Sequence, residues 1–190
     1  MKYEAKNYEH LLGTKGLSDE LLKNHFKLYQ GYVANVNKIG DLADTIEIGT
    51  PAYAELKRRF GWEWNGMRLH ELYFENMKKD ASAIDTQSSV YKKITEKFGS
   101  YENWEKDFRG TGTMRGIGWA ILAYDKEDGR LFNVWINEHD MGHLTGTEPL
   151  LVMDVFEHAF VLDYGLDRAG YVGAFMNVID WNEAQMRLMK

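Results

Sequence analysis

The sequence predicts an α+β fold, an N-terminal helical hairpin domain followed by a small three-stranded antiparallel sheet with surrounding helices. Three observations predict it. Apolar residues recur at three-and-four spacing through the first 77 positions. Past the glycines at 110, 112, 116 and 118 the spacing gives way to short apolar runs separated by turn residues. From Arg168 onward the helical spacing returns.

Each element follows from local chemistry. Ser18 is a good N-cap, because its hydroxyl can accept from a free first-turn N–H. Behind it Leu21, Leu22, His25, Leu28, Tyr29, Tyr32 and Val36 form one helical stripe, with Gly40 as a plausible stop. Pro51 suits a first helical turn, where its missing N–H costs nothing, and Tyr53, Leu56 and Phe60 then share a face. A third stripe comprises Leu69, His70, Tyr73, Phe74 and Met77. Residues 80–89 are polar and small and read as a linker, which divides the chain into a helical domain, 1–85, and an α/β domain, 86–190. One helix is expected over 90–108, carrying Tyr91, Ile94, Phe98, Tyr101 and Trp104. Strands follow at 119–124 and 131–136, joined by the turn Lys126-Glu127-Asp128-Gly129, with a third at 150–155. The tail, 168–188, reads as helical, with Tyr171, Phe175, Val178 and Trp181.

Composition narrows the function. The 190 residues carry 23 Lys plus Arg against 29 Asp plus Glu, a net charge of −6. That balance argues against sequence-independent nucleic-acid binding, which depends on neutralising phosphates with basic side chains. A hydrophobic share of 44% and an aromatic share of 14% supply a real core and exclude a disordered chain. The absence of cysteine removes disulfides, thiolate nucleophiles and Cys-ligated metal centres together. Metal or acid–base chemistry is left to six histidines and the carboxylates. The polar start has no signal-peptide core, and no run reaches the roughly 18 apolar residues of a membrane span. The expectation is a soluble, cytoplasmic protein without membrane partners.

Asp154 and His158 flank the apolar run that begins at Leu150. Charged and imidazole groups beside a buried strand must be paired, hydrogen-bonded or bound to metal, and this spacing alone fits a simple Asp–His pair. His25 and His70 each sit inside an apolar helical stripe, where a lone histidine is more often a hydrogen-bonded core residue. Two such histidines on two helices, together with Asp154 and His158, make a buried metal site a second reading. Three imidazoles and a carboxylate without thiolate suit iron or manganese, and zinc is not excluded by ligand type.

The segment Asp154-Val155-Phe156-Glu157-His158-Ala159-Phe160 resembles the metal-binding motif of the iron/manganese superoxide dismutases. Other landmarks follow in order: His25 with Tyr32-Val33 and Asn35, the run from Asn65 through His70 to Asn76, Gly116-Ile117-Gly118-Trp119-Ala120, and Arg168-Ala169-Gly170-Tyr171 with Asn177 and Trp181. The likeness covers about the whole chain. It implies superoxide disproportionation to dioxygen and hydrogen peroxide at one iron or manganese ion per subunit, with iron or dual use favoured. The implied ligands are His25, His70, Asp154 and His158, with a solvent molecule completing the set. Tyr32 matches the tyrosine that gates the substrate funnel, and Trp119 an aromatic wall. Phe156 stands where a Trp is commoner. Gly66 occupies the place from which some relatives supply a glutamine to the metal-bound solvent. His139 matches the other place for that donor, with His143 as the alternative. Glu157 matches a residue that reaches the neighbouring subunit's ligand histidine, which implies a homodimer. Arg168 is the matched candidate for guiding anionic superoxide against the global charge.

Two departures stand out. The spacing from His25 to Tyr32 is one residue shorter than usual, and a gapless match would place Asn24 at the ligand position. His25 keeps an imidazole ligand and an i, i+7 relation to Tyr32. The family's interface histidine is missing, with Leu28 and Tyr29 in that region, and its tyrosine partner is replaced by Val161. The alternative function is a dismutase-like metal-binding or assembly module without activity. Such a module is expected to have lost ligands. A different mononuclear iron enzyme would present three protein ligands rather than four.

Overall fold

In the computed structural model, which describes residues 2–190, two long helices lead the chain. These are α1 (Asp19–Ala43) and α2 (Pro51–Glu75). The pairs Asn35–Glu63 and Tyr29–Glu71 show that they run antiparallel, as a hairpin. Ser18 caps α1 by accepting from the Leu21 N–H, and Thr50 caps α2 by accepting from Tyr53, with Pro51 in its first turn. Helix α1 continues through Gly40 to Ala43 rather than stopping there. The stripes expected at 51–60 and 69–77 belong to one 25-residue helix. Its pattern breaks in the middle because its second half is buried on several sides, including the polar Glu63, His70 and Glu71.

The expected helix over 90–108 is two helices, α3 (Ser89–Phe98) and α4 (Tyr101–Gly112). Gly99 ends α3 at φ 81°, and Ser100 starts a new helix by capping Asn103. Local capping chemistry overrides the continuous apolar spacing here.

Strands β1 (Gly118–Asp125), β2 (Arg130–Asn137) and β3 (Thr147–Asp154) form an antiparallel sheet in the order β2-β1-β3. The central strand pairs Trp119 with both Ile136 and Asp154, so the sheet register places Asp154 beside a buried indole. Gly118 is required at the start of β1. Its φ is 147°, and a Cβ there would lie 1.9 Å from the Ile136 carbonyl oxygen. Single 3-10 turns occur at Glu9–Leu11 and Glu157–Ala159. The tail forms α5 (Val161–Tyr164), α6 (Arg168–Met176) and α7 (Trp181–Met189), so the helical run expected at 168–188 is broken before the Asp180 cap.

One polar clasp ties the layers together. Arg187 of α7, 2% exposed, donates to Asn76 Oδ1 at 3.0 Å and to the Leu72 carbonyl at 3.2 Å. Asn76 in turn accepts from Val152 N at 2.8 Å and donates to the Leu150 carbonyl at 3.2 Å. Every group in this buried set is paired, which fixes the end of α2 against β3. Among the described residues, no helix is long and apolar enough to cross a membrane.

Candidate metal centre

Four side chains converge where the hairpin meets the sheet. His25 comes from α1, His70 from α2, Asp154 from the end of β3, and His158 from the 3-10 turn that follows. One donor atom from each lies within 4.8 Å of the others. Asp154 Oδ2 is 3.1 Å from His25 Nε2, 3.1 Å from His158 Nε2 and 3.5 Å from His70 Nε2. His25, His70 and Asp154 are buried, while the His158 side chain is 28% exposed.

Two of the donors, Asp154 and His70, are aimed by a second contact. Asp154 Oδ1 accepts from Phe156 N at 2.8 Å, and its carbonyl accepts from the Tyr171 hydroxyl at 2.6 Å. Tyr73 packs behind, its hydroxyl 3.1 Å from that of Tyr171. His70 Nδ1–H donates to the Gly66 carbonyl at 2.5 Å, which leaves the lone pair of Nε2 facing the cluster. That Nε2 is the single buried side-chain polar atom without a hydrogen-bond partner among the described residues. A buried orphan lone pair is costly unless something accepts it, and a cation does so.

Electrostatics agree with that reading. Burial lowers His25 and lowers His70 well below the ordinary imidazole range, so both stay neutral and able to ligate. Burial alone would raise the Asp154 carboxyl, but His158 and His25 beside it outweigh this and hold it far below the usual range. Three imidazoles, two of them held neutral by burial, around one carboxylate are a fit for iron or manganese.

A second group adjoins the cluster. The Tyr32 hydroxyl is 2.8 Å from His139 Nε2, and Trp119 Nε1–H donates to His139 Nδ1 at 3.0 Å. An indole can only donate, so Nδ1 carries no proton and Nε2–H donates to the tyrosine oxygen. The phenolic hydrogen of Tyr32 is then free to point elsewhere. His139 is fully buried, and burial pushes its pKa down to about 4. Burial likewise pushes the Tyr32 phenol well above its ordinary value. Gly66 makes room for this arrangement, because a Cβ there would lie 2.6 Å from the Tyr32 ring.

The remaining expected residues are placed as follows. Trp119 is buried with its ring edge-on to His70 at 5.0 Å. Phe156 stacks on His139 at 4.7 Å and on His158 at 5.1 Å. His143 lies outside the group, its Nε2 2.8 Å from the His139 carbonyl, and Asn24 is exposed. Glu157 is exposed, as is Val161. Arg168 donates to the Met114 and Gly116 carbonyls and lies over the Phe160 ring at 5.2 Å. Sequence reasoning missed Trp62, Glu63, Glu71 and Glu138. Glu71 accepts from the buried Tyr29 hydroxyl at 2.9 Å, and its one visible signal was a carboxylate inside the apolar stripe around His70.

Comparison with known proteins gives a consistent picture. A family model described as the C-terminal domain of iron/manganese superoxide dismutases matches residues 86–187. The chain is 35% identical over 98% of its length to manganese superoxide dismutase 2 of Haloferax volcanii, covering 96% of that protein. It is 36% identical to an iron superoxide dismutase of Cupriavidus metallidurans, over 90% of this chain and 88% of the relative. An iron superoxide dismutase of Aquifex pyrophilus is 33% identical over 100% of the chain and 92% of its own length.

Proposed function

The chain belongs to the iron/manganese superoxide dismutase family, and on that premise we propose that His25, His70, Asp154 and His158 hold its metal ion. Its activity is the disproportionation of superoxide to dioxygen and hydrogen peroxide. The observation that carries the ligand assignment is the unpartnered, buried Nε2 of His70 beside three further donors. Bound iron or manganese would supply a one-electron couple that one superoxide reduces and the next reoxidises. Relatives named for each metal match at similar identity, and our reading is iron or dual use.

The protein's own groups manage protons and access. Peroxide formation consumes two protons for each pair of superoxide anions. Tyr32 keeps its proton at neutral pH, because burial raises the phenol. His139 occupies the tyrosine oxygen from one side, so that proton is directed away from His139 and toward the enclosed site. Trp119 and Phe156 keep the walls apolar, which strengthens electrostatic interactions inside. Arg168 would guide the anion from the His158 side. Residues 1–85 contribute His25 and His70, and residues 86–190 contribute Asp154 and His158, so a bound ion would pin the two domains together. Glu157, beside His158 and exposed, would reach a second copy in a homodimer.

Protein from iron-supplemented and manganese-supplemented cultures tests this reading. Metal analysis is expected to find about one ion per chain, with catalytic superoxide removal in at least one preparation. Fully loaded protein that does not remove superoxide would overturn it.

A further inference from the structure

Glu138 is the one non-glycine residue with positive φ among those described, at 49°. L-residues rarely adopt such a backbone, and it persists where surrounding contacts hold it. Consecutive side chains of an extended strand point to opposite faces. The turn at Glu138, directly after β2, breaks that alternation, and Glu138 and His139 both meet Trp62 of α2. Glu138 Oε2 accepts from Trp62 Nε1–H at 3.0 Å, while the indole ring lies 4.5 Å from the His139 imidazole at 70°. The same indole is 5.7 Å from the Tyr32 ring. It therefore touches both members of the Tyr32–His139 hydrogen bond.

Trp62 is itself held from the helix side. The Arg59 guanidinium covers its ring at 4.1 Å, and Glu63 fixes Arg59 through an Nε–H bond of 2.9 Å. Glu63 is 2% exposed and also accepts from Asn35 of α1 at 3.1 Å. A half-buried tryptophan with its N–H anchored and its ring covered by a cation is fixed in one orientation.

We propose that Trp62 is a positioning residue for the Tyr32–His139 pair, with the Glu138 carboxylate as its anchor. The inference rests on the dismutase reading of that pair. His139 follows the end of β2, in a turn closed by the Asn137–Met141 backbone pair, so its ring orientation is set by side-chain contacts. Its hydrogen bonds to Trp119 and Tyr32 set which nitrogen carries the proton. Trp62 keeps the imidazole from swinging away, so Nε2–H stays on the tyrosine oxygen and the phenolic proton remains available to the site.

Three variants test this. Trp62→Phe keeps a ring but loses the anchored N–H, Glu138→Ala removes the acceptor, and Glu138→Gln restores an acceptor oxygen without charge. In zinc-loaded protein with 15N-labelled histidine, wild-type His139 is expected to show one tautomer, with Nδ1 bare and Nε2 protonated. Trp62→Phe and Glu138→Ala should give averaged nitrogen signals, and Glu138→Gln should return the single tautomer. In iron- or manganese-loaded protein, kcat should fall on the order of tenfold in the first two at full metal content, and recover in Glu138→Gln. Wild-type kcat in Glu138→Ala overturns the proposal whatever the spectra show. A single fixed tautomer in both impaired variants overturns it too, as does a Glu138→Gln protein no better than Glu138→Ala. An inactive loaded wild type would instead defeat the dismutase reading, and the zinc spectra would still decide the positioning claim.

Discussion

The two sides of the candidate metal centre are built differently. On the side of Tyr32, His139 and Trp119, both nitrogens of the imidazole have partners and His139 is fully buried. On the side of His158, the ligand side chain is 28% exposed, and Val161, Leu162 and Leu166 are 43%, 52% and 100% exposed. The first side is finished by one chain alone. The second leaves a candidate ligand partly exposed beside three exposed apolar side chains. On the proposed reading, proton supply would be set within the single chain, whereas closure of the other side would need the proposed second copy.

The largest effect should come from the point where both sides meet. Asp154→Ala removes the one carboxylate that faces all three imidazoles, and should abolish metal retention and activity together, read by metal analysis and superoxide assay. Retained metal would show that the histidines suffice. Next, Tyr32→Phe on the closed side should lower turnover on the order of ten- to a hundredfold while metal content stays at the wild-type level. Unchanged turnover would remove the tyrosine from proton delivery.

Acid should act on the closed side as well. His139 is held at about 4 against an ordinary 6.5, so between these values it binds fewer protons folded than unfolded. The stability of its neutral form is present above pH 6.5 and is lost as pH falls toward 4. His25 and His70 are shifted in the same direction. Urea midpoints of the metal-free protein should therefore drop across this window, with His139 contributing up to roughly 3 kcal/mol. A His139→Gln protein should show a shallower decline, and an equal decline would assign the effect to the other histidines. The smallest effect is expected on the open side. Val161→Asp should weaken self-association on the order of tenfold, seen by sedimentation, and leave the single-chain fold intact. A wild-type sedimentation profile would place the contact surface elsewhere.

Legibility in the sequence followed the range of the forces involved. The helix starts at Ser18 and Pro51 and the strand pattern from 119 onward were readable, because capping and periodicity are local. The break at Gly99-Ser100 was missed, because apolar spacing runs straight across it. Among the site residues, the Asp154 and His158 motif was legible as a short run. Trp62, Glu63 and Glu138 were not, since they fall in no helical stripe or motif that marks them. The Trp62–Glu138 bond crosses from α2 to the end of β2, and Glu63 meets Asn35 across the hairpin, so spacing alone does not mark them.

By itself the sequence determined the α+β class, the restriction of candidate metal ligands to nitrogen and oxygen donors, and the family motif. Those depend on residue type and on spacings of a few positions. Tertiary structure alone decided that His139 rather than His143 meets Tyr32, that His70 Nε2 is left unpartnered, and that one side of the centre stays open. The reason is physical. Each of these facts depends on where hydrogen-bond partners lie across the hairpin–sheet junction, and those partners are brought together only when the helices pack against the sheet.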